Sequence, residues 1–96
     1  ICNINMASCG PSAAAGFNQP SGVAFSPSAA YAYVSNFGNS SVLRCNVDFS
    51  TGELSLCAST GNGFNWPTDI AINQSGTYAY VTNLSNNSVS LCSISN

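Results

Sequence analysis

Tyr31-Ala32-Tyr33-Val34-Ser35-Asn36 returns as Tyr78-Ala79-Tyr80-Val81-Thr82-Asn83, an offset of 47 residues from Tyr31 to Tyr78. The same offset sets Pro20-Ser21-Gly22-Val23-Ala24-Phe25 on Pro67-Thr68-Asp69-Ile70-Ala71-Ile72. It also sets Asn39, Ser41, Val42 and Cys45 on Asn86, Ser88, Val89 and Cys92. A third, partial copy opens the chain: Cys2-Asn3-Ile4 matches Cys45-Asn46-Val47, and Cys9 with Gly16-Phe17-Asn18-Gln19-Pro20 matches Cys57 with Gly63-Phe64-Asn65-Trp66-Pro67. So long and ordered a run of matches marks an internal repeat, which decides the fold before any single strand is read. The first copy is shorter only between its two cysteines, where a hairpin loop loses residues at small entropic cost.

Each unit holds four short apolar runs separated by turn residues. In the complete unit these predict strand A over 22–25, strand B over 30–35, strand C over 41–47 and strand D over 53–58, with Ser26-Pro27-Ser28, Asn36-Phe37-Gly38-Asn39 and Ser50-Thr51-Gly52 between them. No window has helical periodicity, and Ala13-Ala14-Ala15, between Pro11 and Gly16, reads as loop. Strand B does not alternate; Tyr31, Ala32, Tyr33 and Val34 all suit burial, as in a sheet covered on both faces. The expected fold is therefore all-β, with β-propeller-type blades of four antiparallel strands stacked around an axis. The units divide as a partial blade over 1–17 (strands C and D), a complete blade over 18–60 and a partial blade over 61–96 (strands A to C). About two blades cannot close a ring, so the expectation is an incomplete assembly that needs further blades or subunits. The near match of Ile1-Cys2-Asn3-Ile4-Asn5 to Leu91-Cys92-Ser93-Ile94-Ser95 suggests where a next copy would begin.

Tyr-Ala-Tyr-Val-Ser-Asn and Tyr-Ala-Tyr-Val-Thr-Asn, each followed by Asn-x-Ser-Val, resemble the YVTN family of β-propeller repeats. The resemblance spans nearly the whole chain and recurs in register. It implies a seven-bladed type of propeller, a fold found both in lactonase-like enzymes and in archaeal or bacterial surface-layer proteins. The chain departs from that pattern by adding a cysteine pair to each unit and by having too few units for a ring.

Charge is scarce: one Lys or Arg, three Asp or Glu and no His in 96 residues, where an average domain is about one-quarter charged. A single Arg cannot neutralise a run of phosphates, which argues against nucleic acid as a partner. No apolar run reaches the roughly 18 residues that span a bilayer, which argues against membrane insertion. Ile1 opens directly into strand-like sequence without a signal peptide, and reads as the start of a processed form or of a segment of something longer.

Five cysteines in so short a chain suggest an oxidising, extracellular or cell-surface location. Cys2, Cys9, Cys45, Cys57 and Cys92 are too widely spaced for a metal cluster and have no His to complete one, so no metal or other cofactor is expected. Around Gly52, Val47 is expected to face Ser55 and Cys45 to face Cys57; around Asn5-Met6, Ile4 faces Ala7 and Cys2 faces Cys9. These predict hairpin disulfides Cys2–Cys9 and Cys45–Cys57, each stabilising by roughly 2–3 kcal/mol; the alternative is reduced cysteines packed as small apolar residues. Cys92 holds the strand C position without a following strand D, and is expected to be oxidised at a junction between units.

Catalytic residues are not expected. Without His, neither a Ser-His nor a Cys-His nucleophile pair can form within the chain. Asp48 and Glu53 flank an outer turn and read as solvated; Arg44 reads as a surface or inter-blade residue. Asp69 enters an inner strand near where propeller ligands collect, and reads either as an Asx turn or as a feature of one blade, since its counterpart is Gly22. Asn39, Asn73, Asn83 and Asn86 begin glycan acceptor triplets, which a composition so rich in Asn and Ser also produces by chance. Phe17, Phe64 and Trp66 are candidates for a sugar platform or for packing between blades. The reading that results is a non-enzymatic, extracellular structural module of a surface layer, filament or adhesive scaffold, partnered by copies of itself or by neighbouring blades, with glycans as a further candidate partner. The alternatives are a piece of a lactonase-like enzyme and a carbohydrate-binding propeller.

Overall fold

The computed structural model describes residues 11–12 and 14–94. Among them are seven strands and no helix: β1 (Pro20–Phe25), β2 (Tyr31–Asn36), β3 (Ser41–Val47), β4 (Leu54–Ser59), β5 (Pro67–Ile72), β6 (Tyr78–Asn83) and β7 (Ser88–Ser93). They form a four-stranded sheet in the order β1-β2-β3-β4 and a three-stranded sheet in the order β5-β6-β7. Every pairing is antiparallel and every neighbour is next in sequence. The expected hairpin between Cys2 and Cys9 lies outside the described residues.

Corresponding turns are built alike in the two sheets. The β2–β3 loop closes on Asn36 opposite Ser41, and the β6–β7 loop on Asn83 opposite Ser88. The last loop residue is left-handed in both, Ser40 at φ 54° and Asn87 at φ 53°. The residue before each strand-opening proline is left-handed too, Gln19 at φ 45° and Trp66 at φ 48°. A bulge follows at once, at the register shift between Pro20 and Gly22 and again between Pro67 and Asp69.

The two sheets pack through β1 and β2 against β5. Their shared core is Tyr33, Val42, Phe64, Ile70 and Val81, with Ala24, Tyr31, Ile72 and Cys92 packed against it. The inner strands approach closely at one point: a Cβ added to Gly22 would lie 2.5 Å from Asp69 Oδ1 and 3.0 Å from Asp69 Cα. Only a residue without a side chain lets β5 sit there. At the far end of the strands, the β1–β2 turn of one sheet touches the β5–β6 turn of the other, where a Cβ on Gly76 would come 2.9 Å from Pro27 Cδ.

Two substitutions separate local strain from packing. Ala29 and Gly76 occupy the same turn position, both left-handed, at φ 61° and 74°. Ala29→Gly should therefore raise stability by roughly 1 kcal/mol, since a Cβ is penalised there. Gly22→Ala should lower stability by about 1–3 kcal/mol, as overpacking against the β5 backbone does. Urea denaturation midpoints check both signs.

Candidate functional site

The most developed constellation in the molecule is the junction between the sheets together with the faces beyond it. At the inner edge, Ser21 Oγ donates to the Pro67 carbonyl at 2.7 Å, tying β1 to β5, and shares a 2.9 Å hydrogen bond with Ser35 Oγ. The matching pair in the second sheet, Thr68 and Thr82, repeats the hydroxyl contact at 2.9 Å. At the rim, Trp66 N–H donates to Ser40 Oγ at 3.1 Å. The Trp66 ring tilts over Phe37 with centroids 5.5 Å apart.

The final Asn of each repeated hexapeptide has a structural task that sequence reading missed. Asn36 is buried; its Oδ1 accepts Asn18 N–H at 3.1 Å, and its Nδ2 donates to Gly16 O at 3.3 Å and Ser41 Oγ at 3.2 Å. Asn83 is buried likewise, with Oδ1 accepting Asn65 N–H at 3.0 Å and Nδ2 donating to Ser90 Oγ at 2.9 Å and Ser88 Oγ at 3.3 Å. Each amide thus ties the end of one strand to the segment that leads into the strand beside it. The signal was present in the sequence, as an Asn held at one repeat position and paired at fixed spacing with Asn18 or Asn65.

Of the four acceptor triplets, the one beginning at Asn83 has its first amide buried and engaged. Asn39 and Asn86 are exposed in matching loops, accepting from Ser41 Oγ at 2.6 Å and Ser88 Oγ at 2.5 Å. Asn73, half-buried, holds the β5–β6 turn by accepting from Thr77 N–H at 2.9 Å and Tyr78 N–H at 3.0 Å.

Cys45 and Cys57 are joined by a disulfide, with Cα atoms 4.1 Å apart. The hairpin register differs from the expected one: Val47 pairs with Leu54 and Asn46 with Ser55, while Arg44 pairs with Ala58. The shift is absorbed at Leu56, left-handed at φ 53° and exposed, which leaves two β4 residues opposite Cys45. This bulge returns Cys57 to bonding distance. Cys92 carries a free thiol, half-buried against the inter-sheet core, and burial pushes its pKa up.

Among the described residues no three potential metal ligands gather. Asp69 is exposed beside Gly22, its Oδ1 accepting Ile70 N–H at 2.8 Å. Asp48 accepts from Ser50 Oγ, Ser50 N–H and Thr51 N–H, and these bonds hold its carboxyl below the ordinary carboxylate range. Glu53 is more than a solvated turn residue: it accepts the Ser12 hydroxyl and so ties the N-terminal segment to the β3–β4 turn. Arg44 lies over the Tyr31 ring, 4.5 Å from its centroid. Phe64 is buried in the inter-sheet core, Trp66 stacks at the rim and Phe17 is half-buried, so the three do not present a common sugar platform.

The same sequence is buried in one sheet and open in the other. Tyr33 is 6% exposed and Tyr80 42%; Val42 is 3% exposed and Val89 59%. With Tyr78 and Leu91, Tyr80 and Val89 make an apolar face on the far side of the second sheet. In the first sheet, Val23 and Phe25 are exposed where their counterparts Ile70 and Ile72 are buried or half-buried. The open face of the second sheet thus repeats residues that the first sheet buries in the interface, whereas in the first sheet Val23 and Phe25 are open but Val34 and Cys45, the counterparts of Val81 and Cys92, are buried.

A family model described as "Lactonase, 7-bladed beta-propeller" matches residues 2–96. The chain belongs to the seven-bladed lactonase β-propeller family. Solved structures agree on the fold. Kuenenia stuttgartiensis hydrazine synthase aligns with TM-score 0.60 at 19% identity, over 80% of this chain and 27% of that one. The Myceliophteria thermophila Cps50 (Swd1) β-propeller domain aligns with TM-score 0.58 at 16% identity, over 82% and 23%. A functionally unknown protein from Desulfotomaculum acetoxidans DSM 771 aligns with TM-score 0.56 at 19% identity, over 80% and 27%. The chain therefore spans about a quarter of the length of these structures. Comparison with curated proteins gave no match.

Within this lactonase-family propeller piece, the two buried Asn amides should be costly to remove. Asn36→Ala and Asn83→Ala should each destabilise by about 1–3 kcal/mol, the usual cost of leaving a backbone donor without its partner. Asn39→Ala, on an exposed loop, should stay within about 0.5 kcal/mol. Denaturant titration of the three variants measures the contrast.

Proposed function

We propose that this chain is a non-enzymatic, extracellular structural module whose blades assemble face to face into a surface layer, filament or adhesive scaffold. The observation that carries the reading is the open apolar face of the second sheet, Tyr78, Tyr80, Val89 and Leu91, with Val23 and Phe25 exposed on the first. An apolar sheet face of this kind calls for a partner, and the interface between the two sheets supplies a template for one. The Cys45–Cys57 disulfide suits an oxidising exterior. A surface nearly free of charge suits close stacking with like neighbours more than electrostatic capture of an ionic ligand.

A second reading is favoured by the family itself, whose description names a lactonase. On that reading the chain is a piece of an enzyme whose reacting groups lie in other blades, and Asp69 at the inner edge is the first residue to test.

Two measurements distinguish the readings. Sedimentation velocity over a concentration series should show association of the 96-residue chain, weakened at least tenfold, about 1.4 kcal/mol, by Tyr80→Asp or Leu91→Lys. A chain that stays monomeric at all concentrations counts against the structural reading. Lactone hydrolysis should stay at background, whereas turnover abolished by Asp69→Asn would favour the enzyme reading.

A further inference from the structure

The sequence contains a single Asn-Gly pair, Asn62-Gly63, and the fold places it in the segment that carries the backbone from β4 of the first sheet to β5 of the second. Gly61, Asn62 and Gly63 are exposed and belong to no strand. Both glycines are left-handed, at φ 69° and 86°. The matching lead into β1 is left-handed as well, at Gly16 with φ 104°. Glycine at this position is thus a requirement of the backbone path. The residue before it is free to vary, and is Ala15 in the first copy.

A glycine after asparagine leaves the backbone nitrogen without a Cβ to block its approach to the side-chain amide carbon. A Cβ built on Gly63 would meet nothing within 4 Å, so no neighbour crowds that approach either. Among the described residues no hydrogen bond engages the Asn62 amide or the Gly63 N–H. Asn39 and Asn86 are exposed too, but each holds a serine hydroxyl and is followed by Ser40 or Asn87. We propose that Asn62-Gly63 is a site of spontaneous deamidation, and that isoaspartate formed there loosens the junction between the sheets. Gly63 N bonds to Asn62 Cγ, the Cγ–Nδ2 bond breaks, and ammonia leaves with the Gly63 amide proton. Water then opens the cyclic imide. Cleavage at Cγ gives aspartate; cleavage at the main-chain carbonyl gives isoaspartate, whose main chain is one methylene longer. Either product adds a carboxylate to a chain of net charge −2. The longer main chain has little room. Thr60 N–H is fixed on the Val42 carbonyl at 2.8 Å, and Asn65 N–H on Asn83 Oδ1 at 3.0 Å. Between them Gly61 lies on the buried Phe64 ring, where a Cβ would come 3.1 Å from Cζ.

The test incubates the folded 96-residue chain at neutral and at mildly alkaline pH and maps its peptides by mass spectrometry. A gain of about 1 Da should appear at Asn62, at least about tenfold faster than at any other asparagine and faster at the higher pH. The rate should match that of a free peptide of residues 58–66 within about threefold, because the fold adds no barrier there. Asn62→Ala, which copies Ala15, should fold and lose the modification. The isoaspartate form, separated by anion exchange, should unfold at lower urea than Asn62→Asp, which adds the same charge without the methylene. Deamidation led by another asparagine, a folded-chain rate about tenfold or more below the peptide's, or equal urea midpoints for the two acidic forms would each overturn the proposal. None of these outcomes depends on whether the open faces drive association.

Discussion

A strand reading Tyr-Ala-Tyr-Val is apolar on both sides, and a sheet built around it has no face to give to water. Every other feature of the molecule answers that constraint. Where the second sheet covers the first, Tyr33 and Val42 disappear from solvent; where nothing covers the second, Tyr80 and Val89 stand open. Burying a side chain of this size is worth about 1.5–3 kcal/mol, so each uncovered face withholds several such contributions. The two-sheet structure thus contains one finished interface, an open apolar face on the second sheet, and on the first sheet an exposed Val23 and Phe25 beside a buried Val34 and Cys45.

Small and polar residues set how close the blades come. Gly22 removes the side chain that would strike Asp69, Ser21 reaches across to the Pro67 carbonyl, and Trp66 closes the rim over Phe37. Inside each blade, Asn36 or Asn83 ties the lead-in segment to the end of the middle strand. These amides sit where the chain turns from an outer strand to the next inner one, so they fix the path from blade to blade as well as the strand ends. Buried polar groups that are fully bonded favour one arrangement over its competitors.

The strands, their antiparallel order and the blade-like stacking were legible because the repeat placed apolar runs and turn residues in the same order twice. The disulfide partners Cys45 and Cys57 were read as facing residues, but the register between them was not: Leu56 in a left-handed bulge leaves no trace, since that conformation usually announces itself as glycine. Asn83 begins an acceptor triplet in the sequence, and such a pattern carries no information on the burial of its amide. The fit of Asp69 to Gly22 escaped for another reason: two residues at equivalent repeat positions meet only once the distance and angle between sheets are known. Tyr31-Ala32-Tyr33-Val34 reads as suited to burial on both sides, and in the matching Tyr78-Ala79-Tyr80-Val81 only Ala79 and Val81 are buried.

The central claim is that the far face of the second sheet is an interface in the native protein. Hydroxyl-radical footprinting of native material, read residue by residue, tests it most directly by comparing Tyr33 with Tyr80 and Val42 with Val89. The account predicts that Tyr80 and Val89 are as protected as their counterparts, and that both become reactive when the material is dissociated into folded single chains. Tyr80 and Val89 labelled to the same high extent before and after dissociation, with Tyr33 protected throughout, would contradict it.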